Sequence, residues 1–233
     1  MNSLYDTSSI QGAEDDQDIP SPLESSRQKL QNLVDELEYH STHSLNRAYL
    51  LLEIGLIQLQ LDQHTQAWET AQEAFRIFAL AEEWEGAVQG CHILFLAHQE
   101  HSLVALGNGI WLAVTYPIDL EMSVMMLEHL IDETPDHSDG AAIAAATAHY
   151  LVDLRAQGGS SQRENLLFYT NQLLAKVARR HSQVEDQTSF RLWFRQLELD
   201  IPEKFINRLG LILEVLVQGQ WWIDKDTLRA KLP

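Results

Sequence analysis

Small residues set at helical spacing constrain this chain more than any other feature. Gly55 stands within the apolar run Leu50–Ile57, and after a polar break at Asp62-Gln63-His64 come Ala67, Ala71 and Ala74, beside Phe75. Residues three and four apart share one face of a helix, so these positions form a stripe without bulk. Two helices, over 45–61 and 65–80 with Thr65 as N-cap, can then lie close and antiparallel and bury that stripe between them.

The pattern recurs. With a displacement of 35 residues, Gly90 falls under Gly55, Ser102 under Ala67 and Gly109 under Ala74. The runs 84–99 and 103–115 repeat the two helices, and Pro117 ends the second. From Ala48 to Pro117 the chain resembles the tetratricopeptide repeat, in which helix pairs of similar length stack. The resemblance implies a layered helical array with a concave surface that binds a peptide or protein.

The remaining elements follow from the same periodicity. A helix opening at Ser25 or Ser26 and running to Glu38 carries Leu30, Leu33, Val34 and Leu37 at helical spacing. Residues 118–156 form a central hairpin: 120–132 is apolar almost all round, Thr134–Asp139 is the turn, and the next helix is rich in alanine from Ala141 to Ala148. Alanine favours helix and permits close approach, so this pair is expected to make the densest core. After Gly158-Gly159, Ser161 and Glu164 fit a capping box for a helix to Arg180. Helices over 190–199, from Pro202 to about Val217, and over 226–232 complete the region 160–233. No stretch shows sustained strand alternation. The expected fold is therefore all-α: stacked antiparallel hairpins with a C-terminal helical cap, one domain over 24–233, preceded by an acidic disordered tail over 1–23.

Charge narrows the function. With 16 basic against 34 acidic residues the formal charge is −18, which repels phosphate backbones and anionic membranes unless a basic patch intervenes. Lys176, Arg179 and Arg180, and Lys225, Arg229 and Lys231, are better suited to helix C-termini. The single cysteine, Cys91, excludes an intramolecular disulfide and reads as a buried small hydrophobe. Met1–Asp18 has no basic-then-apolar signal, and the stretch 103–118 is too short and too interrupted to span a membrane. A cytoplasmic protein is expected.

Motifs for chemistry are few. Folding the central hairpin sets Glu121 opposite Asp153, with His149 four residues before Asp153 on one face; with His129 as a fourth group these could hold a divalent metal between the helices. Against this, paired Glu-x-x-His spacing is absent, and a hydrogen-bonded His–Asp pair is the plainer reading. His98 and His101, with Cys91 and His92, make a looser zinc candidate. The run Asp132, Glu133, Asp136, His137, Asp139 lacks the spacing of a calcium loop. There is no Gly-x-Ser-x-Gly elbow, and Gly107-Asn108-Gly109 lacks the Lys-Ser/Thr and preceding strand of a phosphate loop. Met122, Met125 and Met126 are either core or an adaptable surface. Trp221 and Trp222 are candidate partner-binding anchors or core-closing rings. The expectation is a non-enzymatic helical-repeat protein that binds another protein as scaffold, adaptor or assembly chaperone, without a cofactor. The alternative is a metal- or cofactor-dependent helical enzyme with its site between 118–133 and 139–156. A homodimer through 202–217 is a third reading.

Overall fold

A computed structural model describes residues 21–232, and among them lie eleven α-helices and no strand. They are α1 (Pro22–Leu37), α2 (Leu45–Gln60), α3 (His64–Leu80), α4 (Trp84–Leu96), α5 (Ser102–Thr115), α6 (Leu120–Glu133), α7 (Asp139–Arg155), α8 (Ser161–Ser182), α9 (Gln187–Gln196), α10 (Pro202–Val217) and α11 (Lys225–Ala230). The expected tail over 1–23 lies outside the described residues up to 20, and its last residues are not a tail. Ser21 caps α1, with Glu24 completing a capping box, so this helix starts four residues earlier than the apolar pattern alone indicates. A capping box is carried by two side chains, Ser21 and Glu24, and leaves no mark on an apolar periodicity that spans a dozen residues.

Most other boundaries fall where polar side chains satisfy the orphan N–H groups of a first turn. Ser44, Glu83, Asp119, Ser138, Ser160, Asp186 and Asp224 each accept a hydrogen bond from the backbone of the helix they precede. Two expected caps are displaced. Thr65 lies inside α3, whose N-cap Gln63 makes no side-chain cap, and Ser160 rather than Ser161 caps α8. The α2–α3 and α3–α4 turns share one device. The N–H of Gln63 bonds to the carbonyl of Gln58 at 2.8 Å and that of Glu83 to Phe78 at 3.0 Å, while Asp62 and Glu82 hold φ of 56° and 52°. This is a Schellman-type stop built on non-glycine residues. His98, after α4, also has positive φ, at 51°.

Consecutive helices pack as neighbours from α1 to α8, and α2 also touches α4 across the first turn. The small residues sit where the sequence pattern requires. A Cβ on Gly55 would lie 3.2 Å from Ile93, and one on Gly90 3.4 Å from Phe75; Ala67, Ala71 and Ala74 are fully buried. In the central hairpin α7 is buried from Gly140 to Ala148, as its alanines suggest. α6, in contrast, turns Glu121, Met125 and Asp132 to solvent. The helix buried on every side is α5, from Val104 to Ala113.

That burial has a cause outside the sequential order. α10 returns to pack against both α5 and α7. Its apolar stripe Phe205, Leu209, Leu213 and Val217 is buried, and a Cβ at Gly107 would stand 2.5 Å from Val217 Cγ1. On another side of α5, a Cβ at Gly109 would stand 2.8 Å from Cys91 Cβ. The two glycines let α5 accept close neighbours on different faces. Among the described residues no helix is long and apolar enough to cross a membrane.

Candidate functional site

The four residues suggested as metal ligands have separate partners. The Arg163 guanidinium holds the Asp153 carboxylate and also donates to the Asp153 carbonyl at 2.8 Å, tying the end of α7 to α8. His149 Nδ1 lies 3.0 Å from Thr170 Oγ1, and that hydroxyl donates to the Leu166 carbonyl at 2.8 Å. The hydroxyl proton is thus committed, so His149 donates from Nδ1. Burial pushes the His149 pKa down, against the pull of the Asp153 charge. Glu121 is exposed and accepts from Gln162 at 3.4 Å. His129 sits apart from all three, paired with His92 of α4. No group of three or more His, Cys, Asp or Glu side chains is placed to hold a metal among the described residues.

The His92–His129 pair joins α4 to α6. The two Nε2 atoms are 3.1 Å apart and the ring centroids 5.1 Å, so the rings meet nearly end to end and share one N–H···N bond. That bond requires one ring to present a proton and the other a lone pair. Burial, then the neighbouring His129, lowers the pKa of His92 to about 4. His129 is also lowered by burial, against the charges of Glu128, Asp132 and Glu133. Cys91 is fully buried and its thiol is pushed far up by desolvation, which leaves it inert. His98 is exposed at a turn and stands ring-to-ring with Phe95 at 6.2 Å.

Trp221 and Trp222 are half-buried and occupied within the chain. The Trp221 indole donates to Glu214 at 3.0 Å and lies under the Lys225 ammonium, 3.6 Å from the ring centroid. Trp222 meets Phe75 edge-on at 5.5 Å, and its backbone N–H donates to the side chain of Asn108 at 3.0 Å. Asn108 is fully buried in α5. The two tryptophans therefore fasten the C-terminal segment onto α3 and α5 while remaining partly exposed.

An exposed apolar surface lies beside α10. A groove of about 660 Å³ runs between Leu103 of α5, Leu130 of α6, Gly140 and Ile143 of α7, and Leu211, Ile212, Val215 and Leu216 of α10. Leu211 is 68% exposed, Val215 76% and Leu103 41%. One end of the groove is closed by Arg208, which holds Asp139 at 2.6 Å and donates to the Leu197 carbonyl at 2.7 Å; Asp139 also meets His181 Nε2 at 3.2 Å. Periodicity identifies the buried stripe of α10 but leaves Leu211 and Val215 unused. They lie on the opposite side of the helix, and their being apolar off the stripe is the signal in the sequence. Leu103, Leu211 and Val215 form an exposed apolar patch of a kind suited to association. Family models, curated proteins and solved structures give no match to this chain.

Proposed function

We propose that this chain is a non-enzymatic helical-repeat protein of tetratricopeptide-like build, a scaffold, adaptor or assembly chaperone that binds another protein. The exposed pair Leu211 and Val215, set one turn apart over an apolar groove, carries this reading. Two largely solvent-exposed aliphatics on a helix packed by its opposite stripe bury only a minor part of their surface within the chain. Covering them with a partner removes apolar area from water at about 25 cal/mol per Å². The close approach of Gly107 to Val217 packs α5 against α10, two of the groove's walls, which limits the ordering entropy that opposes docking.

The test is a photoreactive amino acid placed at position 215, with the protein expressed in its own cellular setting and irradiated. A stoichiometric adduct to one protein, lost on adding Leu211→Ser, supports the reading. A clean monomer carrying a tightly held small ligand, with no adduct, overturns it.

A further inference from the structure

We propose that the groove beside α10 takes an amphipathic helix of a partner protein that is basic outside its apolar face; this rests on the protein-binding reading above. The groove's own construction points to a helix. Its walls are helices, and no strand edge exists among the described residues, so an extended peptide finds no backbone ladder to join. Arg208 to Gln218 line its length, about 15 Å at the rise of a helix, or nearly three turns. Leu211 and Val215 form a ridge that a second helix covers with apolar residues of its own at three- and four-residue spacing.

Charge decides what flanks those residues. The segment 102–155, which supplies three of the four walls, carries eight acidic residues against Arg155, a net of −7. Asp132, Asp136 and Asp153 are met by Lys176, Arg180 and Arg163 of α8, whereas Asp119, Glu121, Glu128 and Glu133 are in no ion pair among the described residues. Arg155 is not free to answer them: it donates to the carbonyls of Ala113, Val114 and Tyr116 at the end of α5. At the groove itself Arg208 and Asp139 neutralise each other, whereas Glu133 is exposed and in no ion pair among the described residues. The first turns of α5 and α7 contribute about +0.5 each and the last turn of α6 about −0.5, so with Glu133 the local balance is about −0.5. The surrounding walls then set the sign. A second copy of this chain could offer its own Leu211 and Val215, but two bodies of formal charge −18 meet with like charges opposed. A basic helix meets the same field as an attraction.

Fluorescence anisotropy with two labelled model peptides about 15 residues long tests this. One has leucine and lysine at amphipathic helical spacing; the other has glutamate in place of lysine. Salt is kept near physiological, where the screening length is ~8 Å. The leucine–lysine peptide is expected to bind saturably at one per chain and at least about tenfold more weakly to the Leu211→Ser, Val215→Ser double variant, as expected for the loss of about 1.4 kcal/mol or more. The leucine–glutamate peptide is expected not to bind. Both substitutions are at exposed positions, and unchanged thermal melting confirms the fold. Equal binding to the variant, binding of the acidic peptide, or no binding of the basic one overturns the inference. So does light scattering that shows a dimer of the parent chain dissolved by the double variant. An adduct from position 215 together with failure of the basic peptide leaves the protein-binding reading standing and removes only the basic helix.

Discussion

Replacing Asn108 by alanine should loosen the whole C-terminal segment, although the two are far apart in sequence. Asn108 is fully buried, its amide donates to the Val104 carbonyl at 2.9 Å, and its oxygen accepts from the Trp222 N–H at 3.0 Å. In Asn108→Ala the Val104 carbonyl keeps its helical bond, so that loss is small. The Trp222 N–H loses its partner, which costs about 1–3 kcal/mol if it stays buried. The vacated volume adds less than 1 kcal/mol at ~24 cal/mol per Å³, and the better helix propensity of alanine returns about 0.5 kcal/mol. The net is a destabilisation of about 1–3 kcal/mol, a fall of roughly 3–10 °C in Tm for a chain of this size. Thermal unfolding followed by circular dichroism measures this, and the near-ultraviolet signal reports whether Trp222 stays against Phe75 and Trp68. Asn108→Asp sharpens the test. It keeps an acceptor for Trp222 but buries a carboxyl whose pKa desolvation raises, so its stability should fall as pH rises from 5 to 8. A Tm for Asn108→Ala within about 1 °C of the parent, with an unchanged near-ultraviolet spectrum, would refute the idea that this side chain anchors the segment.

Acidification should act through the α4–α6 joint. The pKa of His92 is lowered to about 4 in the fold, below the ~6.5 of an unfolded histidine, so the unfolded chain binds the extra proton between those values and stability falls as pH drops through that window. The ceiling is about 3 kcal/mol; urea unfolding of the parent and of His92→Asn at pH 7 and pH 5 should show a smaller loss in the variant, and equal losses would sink the assignment. Gly210 lies inside α10 with nothing within 4 Å of where a Cβ would stand, so Gly210→Ala should raise stability by about 1 kcal/mol; a drop would mean that an unseen neighbour occupies that space. Asp62 holds φ at 56°, where a Cβ is crowded, and Asp62→Gly should gain about 0.5–1 kcal/mol, read as a higher urea midpoint at unchanged slope. No gain would show that the turn carries no strain there.

Local patterns fix much of this protein without reference to anything distant. The alanine and glycine stripes, the Pro117 and Gly219 stops and the cap residues determine an all-helical chain whose neighbours in sequence are neighbours in space, because helical periodicity and capping are decided within a few residues. Gly55 and Gly90 do stand at close helix contacts, but Gly55 meets Ile93 of α4 and Gly90 meets Phe75 of α3, contacts between hairpins that the spacing within one hairpin does not specify. The sequence reading stops where a contact joins elements far apart. Asp153 and His149 share a helical face, but α8 supplies Arg163 and Thr170 to them, and periodicity within one hairpin says nothing of the next. Gly107-Asn108-Gly109 reads as an interruption of an apolar run; only the return of α10 and Trp222 across α5 makes Gly107 and Asn108 a packing site. Periodicity marks Leu209 and Leu213 as the stripe of α10, but tertiary structure decides that no other element covers Leu211 and Val215, since burial belongs to whichever face of a helix another element covers.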